Sequence, residues 1–284
     1  MLTAVRPASM PAHYAEREKK MTMVDVLLDL KKEDGYAILT INKPDTRNAM
    51  RMTTLEEFHS AMDICEKSDE VRCLIITASG EKAFSSGGDL NEELRYSASE
   101  PHNMDKYNRL GCDFVNRIMK AKFPVLAAIN GAAVGAAVCV IIACDMAVSV
   151  EHAIFATPTS GLGGMPGWGS QVLMPWALGR HNAAWLLLGN ERLNAEDAKR
   201  IGLIEKILKP EELMPYIEGV AKKLASLPPQ TISAMKKLMV DSASMTLDDG
   251  IAAEADVYPK VNSDPNFAEG IKAFLEKRPP KFSF

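Results

Sequence analysis

Two glycine-rich segments hold the residues whose types and spacing could do chemistry. The first is Lys82-Ala83-Phe84-Ser85-Ser86-Gly87-Gly88-Asp89-Leu90, directly after an apolar run. The second runs from Asn130-Gly131 through Gly135-Ala136-Ala137 to Cys139 and opens an apolar helix-like stretch. Each presents main chain unshielded by large side chains. Two N–H groups converging from such places form an oxyanion hole, which would stabilise a thioester enolate or a tetrahedral intermediate. Small residues let a substrate carbonyl approach the main chain, and a helix start near Gly135 adds a dipole favourable to negative charge. Glycine-rich turns between strand and helix are common as plain turns, so these segments alone name no reaction. No GxxxxGK[ST] is present, and no GxGxxG follows a strand, which argues against the common nucleotide loops. HExxH, CxxC and EF-hand patterns are also missing, so no metal site is expected.

Around these segments the side chains are less telling. Cys139 is a candidate nucleophile or weak acid, although between Val138 and Val140 it reads more readily as a packed thiol. Thr159 and Ser160 could orient a water or meet an acyl group, or simply make a turn. Trp168 could wall an acyl pocket or fill core space. Residues 154–172 contain no Asp, Glu, His, Lys or Arg, so a pocket built from them would be apolar and weakly polar. Glu92 and Glu93 could enter the site, with a solvated helix start as the plainer expectation. His102 reads as a solvated loop residue, with a base on a mobile lid as its functional alternative. His181 reads as a cap. The pairs Lys222-Lys223 and Lys236-Lys237 read as solvated faces.

The elements that must position these groups follow from periodicity. Residues 24–30 and 36–41 alternate about a turn at 31–35 and read as a hairpin. Residues 54–67 and 104–120 carry helical spacing. Residues 71–77, 125–129 and 146–150 read as buried strands, and 135–144 as a buried helix. Beyond residue 210 the pattern is helical, over 211–227, 230–242, 247–257 and 266–277, ending before Pro279-Pro280. Strands alternating with helices argue an α/β core followed by a helical region. The chain has 284 residues, 47% of them hydrophobic and 25% charged, enough for a sizeable core. The formal charge of -4 disfavours nucleic acid as a partner. Five cysteines without paired spacing suggest a reducing compartment, the cytoplasm. The apolar run 123–142 is broken by Pro124, Asn130, Gly131 and Gly135, so it reads as strand, turn and helix rather than a membrane span. Residues 1–22 lack an apolar h-region and do not read as a secretory signal.

In combination, the motifs resemble the crotonase superfamily, the enoyl-CoA hydratase/isomerase family. They are Arg47-Asn48-Ala49-Met50, Phe84 to Leu90, Pro124 to Gly131, Ala143-Cys144-Asp145, Pro166-Gly167, Leu193 to Ala198, Gly202-Leu203 and Ala273 to Arg278, in that order. The resemblance implies a spiral of ββα repeats followed by helices that build trimers or hexamers. It divides the chain into a flexible extension (1–22), a spiral core (23–210) and a helical region (211–284). It implies an acyl-CoA thioester as substrate, with no cofactor beyond the coenzyme A that the substrate carries. By position it assigns the oxyanion hole to the N–H groups of Ser86 and Ala136. It places Arg47, Ala49, Ser86, Gly87, Gly88, Asp89 and Leu90 along the CoA arm and Trp168 beside the acyl group. Asp145 matches a structural aspartate, and Glu191 a turn residue.

The family's two hydratase glutamates fall at Cys139 and Thr159, and neither is a carboxylate. A thiol or hydroxyl of ordinary pKa is a poor base near pH 7, so ordinary syn hydration is not expected. Isomerisation, decarboxylation, C–C cleavage and hydrolysis remain open. Decarboxylation can generate an enolate without a strong base. The competing expectation is a non-catalytic acyl-CoA-binding or scaffolding trimer that kept the fold and lost the chemistry.

Overall fold

The computed structural model describes residues 18–284. Strands β1 (Glu18–Thr22), β2 (Val26–Lys31) and β3 (Tyr36–Ile41) form an antiparallel meander. In β2 every second residue is buried, as alternation demands when one sheet face is covered. Strands β4 (Cys73–Ala78), β6 (Val125–Ile129), β8 (Met146–Val150) and β11 (Lys206–Leu208) then add in parallel. The resulting seven-stranded sheet has the order β1-β2-β3-β4-β6-β8-β11. All residues of β4 and β6 are buried, so those strands are continuous apolar runs rather than alternating ones.

A smaller sheet, β10-β9-β7-β5, is made of three-residue strands: β5 (Ala83–Ser85), β7 (Ala132–Val134), β9 (Ile154–Ala156) and β10 (Arg192–Asn194). Strands β4, β6 and β8 are each followed by one of these short strands and then by helix. That is the expected ββα spiral. Helices α2 (Leu90–Ser99) and α3 (Pro101–Lys120) follow β5, α4 (Ala136–Ala143) follows β7, and α5 (Ser170–Leu178) follows β9 and a 3₁₀ turn, Pro158–Leu162. Helix α1 (Met52–Lys67) buries Leu55, Phe58, Met62 and Cys65. Phe58 stacks on Phe114 of α3 with ring centroids 4.4 Å apart.

Helices α6 (Arg180–Leu187) and α7 (Ala195–Arg200) lead to β11 and then to α8 (Pro210–Ala225), α9 (Pro229–Asp241), α10 (Leu247–Asn262) and α11 (Pro265–Leu275). Two expected boundaries move. Residues 18–22 are an edge strand paired along β2, not part of a loose extension; residues 1–17 lie outside the described part. Helix α8 buries Leu213, Ile217, Ala221 and Ala225 and packs on β3, β4, β6 and β8, so it belongs to the spiral core. Its apolar residues recur at helical spacing, and the sheet face they cover would otherwise be open to water. Among the described residues no helix is long and apolar enough to cross a membrane.

The chain end folds back on α11. Arg278 makes paired hydrogen bonds to both carboxylate oxygens of Glu269 (2.6 and 3.0 Å), and the Lys281 N–H adds a third bond at 2.7 Å. These donors hold the Glu269 carboxyl at a pKa of about 2, below its ordinary 4.5. A depressed carboxylate stabilises the fold above its unfolded pKa and loses that contribution as pH falls through the folded one. The melting-temperature gap between wild type and Glu269→Gln is therefore expected to be full at neutral pH and to close as pH drops from 4.5 towards 2. A gap independent of pH would mean the clamp does not act through this ionisation.

Candidate functional site

The first glycine-rich segment is held by a local hydrogen-bond frame. Asn48, in the left-handed region with φ 56°, is buried and spends its whole amide on the main chain. It donates to Ser79 O (3.0 Å) and Ala83 O (2.8 Å) and accepts from Lys43 N (2.9 Å). Ser85 Oγ donates to Asn48 O at 2.7 Å and accepts from Gly87 N at 3.1 Å. The Met50 N–H donates to Gly87 O (2.8 Å), and Asp89 N–H donates to Met50 O (3.1 Å), the bond pattern of a parallel bridge. That geometry turns the intervening Gly88 N–H to the other side, where it finds no acceptor among the described residues.

The second segment abuts the first. Gly87 has φ +89°, and a Cβ built there would lie 2.6 Å from Val134 O and 3.4 Å from Ala136 N. Only glycine fits both the conformation and the approach. Gly135, φ +59°, donates to Ala156 O at 2.8 Å and precedes α4. The first two N–H groups of α4, from Ala136 and Ala137, have no acceptor among the described residues, while that of Val138 turns back to Gly135 O at 3.1 Å. Unpaired donors at a helix start carry partial positive charge. Residues Ala137 to Ile141 are all buried, so water screens that charge poorly.

Several expectations change at this point. The Ser86 N–H is already donated to Arg47 O at 2.9 Å, so it is not free for a ligand oxygen; between Ser86 and Asp89 the N–H without an acceptor among the described residues is that of Gly88. Cys139 is fully buried, with Sγ 2.9 Å from Ser170 Oγ, and burial pushes the thiol up to about 11. At neutral pH it is a packed, protonated thiol, which removes the nucleophile reading. Thr159 sits half-buried in the 3₁₀ turn, where its carbonyl accepts from Gly164 N. Ser160 Oγ is tied to Asn190 Oδ1 at 2.8 Å, a turn role. The Asp89 carboxylate caps α2 by accepting from Asn91 N and Glu92 N.

Of the remaining positions, Arg47 is exposed, Ala49 is buried behind it, and the Leu90 side chain is 60% exposed. Trp168 is 2% exposed, meets Tyr107 edge to face, and lies where any side chain on Gly111 would be. His102 is an exposed residue of α3, so it sits on a helix rather than in a loop. His59 reaches Leu110 O and His152 reaches Glu81 O. Lys236, expected on a solvated face, is buried against Asp145.

Glu92 and Glu93 part ways. Glu92 accepts from Met52 N (2.8 Å) and Tyr96 Oη (3.0 Å) and so braces α1. Glu93, one helical step on, turns inward. A Cβ built on Gly88 would lie 1.9 Å from Glu93 Oε1 and 2.8 Å from Tyr107 Oη. Burial raises the Glu93 pKa, and the Asp89 charge adds to the effect. No described residue hydrogen-bonds this carboxylate. The Tyr107 hydroxyl beside it donates to Met50 O at 2.7 Å. The only sequence signal for Glu93 is that adjacent helix residues point about 100° apart, so one member of an acidic pair on α2 could face inward.

The comparisons agree with this architecture. Residues 31–283 match the family model described as enoyl-CoA hydratase/isomerase. A crotonyl-CoA hydratase of Syntrophomonas wolfei subsp. wolfei is 33% identical over 253 residues, covering 89% of this chain and 96% of that protein. A trans-2-decenoyl-[acyl-carrier-protein] isomerase of Streptococcus mutans is 31% identical, covering 88% of this chain and 95% of that one. The crystal structure of an enoyl-CoA hydratase from Polaromonas sp. JS666 superposes with a TM-score of 0.84 at 27% identity, over 94% of this chain and 99% of that one.

Proposed function

Since the chain belongs to the enoyl-CoA hydratase/isomerase family, we propose that it is an enzyme acting on acyl-CoA thioesters through an oxyanion hole made by the N–H groups of Gly88 and Ala136. The observation that carries this reading is the pair of unpaired donors on two abutting segments, one at the start of a buried helix. Such preorganised donors are worth most where charge develops on a thioester oxygen away from water. The CoA arm runs past Arg47, Ala49 and the stretch from Ser86 to Leu90, and the acyl group lies towards Trp168.

The absence of carboxylates at Cys139 and Thr159 supports chemistry other than syn hydration, which needs one group to activate water and another to protonate carbon. Isomerisation, decarboxylation, C–C cleavage and hydrolysis fit the remaining groups. The exposed apolar side chains of Met235 and Met239 on α9 and of Leu247, Ile251 and Tyr258 on α10 support self-association as a trimer or a dimer of trimers. The described cysteines are all free thiols, in keeping with the cytoplasm.

The test is mass spectrometry of the products formed from a panel of acyl-CoAs, run beside a hydratase with both glutamates. Crotonyl-CoA hydration is expected to run at least about 100-fold slower here, the usual effect of losing a positioned acid or base. Turnover of another panel member supports the enzyme reading. Hydration at the reference rate would overturn the assignment of Cys139 and Thr159 as non-functional replacements. Inertness across the panel would favour the binding or scaffolding protein instead.

A further inference from the structure

We propose that Glu93 is the proton carrier of this site, serving first as base and then as acid in a 1,3-proton shift along the acyl chain of a bound thioester. The inference rests on the reading that Gly88 and Ala136 hold the thioester oxygen, and it adds the group that reading leaves unassigned. Three carboxylates cluster at the start of α2, and two are engaged: Asp89 as the cap and Glu92 on Met52 N and Tyr96. Glu93 alone has no hydrogen-bond partner among the described residues. Its oxygen lies against the Cα of Gly88, the residue whose N–H is free. A side chain at 88 would occupy the same space as that oxygen, so glycine there keeps the carboxylate beside the donor. In the proposed pose, with the carbonyl oxygen on the Gly88 N–H, the carbon α to that carbonyl lies on the side of Gly88 that the Glu93 carboxylate faces. The raised pKa brings Glu93 nearer to neutrality, where a base can both take and return a proton.

One carboxylate is enough for isomerising a 3-enoyl thioester to the 2-enoyl form. Glu93 takes the proton from C2. The C2–H pair becomes the C1–C2 double bond, and the carbonyl π pair moves onto the oxygen held by the two N–H groups. The oxygen pair then re-forms the carbonyl, the C1–C2 pair moves to C2–C3, and the C3–C4 pair takes the proton from Glu93 at C4. The carboxylate is regenerated with no co-reactant, and no water needs activating. The same group at the same place explains how the chain can dispense with carboxylates at Cys139 and Thr159.

The test uses the full chain with 3-hexenoyl-CoA, followed by NMR in D2O for the 2-enoyl product and for deuterium at C4. Wild type is expected to convert it. Glu93→Gln is expected to lose about 10²- to 10⁴-fold in kcat, with its melting temperature and its affinity for 3-hexenoyl-CoA little changed. Glu93→Asp should recover part of the rate, and Glu93→Ala stands in if the Gln variant does not fold. Full activity in either the Gln or the Ala variant, with activity lost in Ala136→Pro, overturns the role of Glu93 and leaves the oxyanion reading intact. A wild type that turns over other acyl-CoAs but not this one has the same consequence. Inertness towards every acyl-CoA overturns both.

Discussion

Replacing Ala136 by proline is expected to lower kcat by about 10²- to 10³-fold, the usual consequence of deleting one oxyanion donor, while the protein melts close to wild type. Proline removes the N–H and sets a ring CH2 where its hydrogen was, so the variant tests whether an oxygen must sit there. Ala136 is the first residue of α4, and proline is favoured at that position because its fixed φ suits the helix and the N–H has no intrahelical partner. Here the N–H has no acceptor of any kind among the described residues, so folding loses no hydrogen bond. The preceding residue, Gly135, has no Cβ to collide with the proline ring. A fall in kcat and in kcat/KM together marks an interaction made in the transition state, whereas a rise in KM alone marks uniform binding. If the variant folds and turns over at the wild-type rate, the oxygen is not held at Ala136 and the proposed chemistry has no anchor.

A helix start with open donors near Gly135 was legible in the sequence, whereas which donor of the first segment stays free was not, for a physical reason. The buried strands at 125–129 and 146–150 coincide with β6 and β8, and the helices fall within a few residues of their periodic segments, because period and burial are local properties of sequence. The start of α4 is local in the same sense: glycine at 135 and small residues after it mark both the helix and its open donors. Which N–H of the segment from Ser85 to Asp89 remains free depends instead on the pairing of that segment with residues 47–50, some forty positions earlier. Once Arg47 O accepts from the Ser86 N–H and Met50 bridges Gly87 and Asp89, Gly88 is left over. No composition rule carries that pairing. The same holds for Glu93, whose environment is set by Gly88 and Tyr107, and for the moved boundary at α8, whose apolar stripe is visible in sequence while the sheet it covers is not.

Lys236 makes the point energetically. Its neighbour Lys237 sits where a solvated face predicts, paired with Asp241, but the Lys236 side chain is only 6% exposed and joins α9 to the core. Its ammonium donates to Ile118 O (2.9 Å), Phe123 O (3.0 Å) and Asp145 Oδ2 (2.6 Å), and Asp145 Oδ2 also accepts from Val125 N at 2.7 Å. One ammonium thus ties together the end of α3, the entry to β6 and the turn before β8.

Lys236→Met keeps much of the stem's apolar packing and removes the charge, leaving Phe123 O without its donor, Ile118 O with only the long bond from Ala121 N (3.4 Å), and a carboxylate without its counter-ion. Removing one partner of a buried pair costs about 3–5 kcal/mol, and the lower figure applies here, since the Asp145 side chain keeps 24% exposure. Urea unfolding is expected to show a loss of about 3 kcal/mol, against about 0.5 for a surface lysine. The loss should depend on pH in a fixed direction. Burial already raises the Asp145 pKa against the pull of Lys236, and without the ammonium it rises further. The native state then binds a proton that the unfolded state has released, so stability falls as pH rises through that window. The deficit of Lys236→Met should therefore be smaller at pH 5 than at pH 8. Adding Asp145→Asn, which keeps an acceptor for Val125 N, should recover part of it and remove the pH dependence. A Lys236→Met variant within about 0.5 kcal/mol of wild type at both pH values would show that the buried ammonium adds no net stability and that α9 is held by its apolar contacts alone.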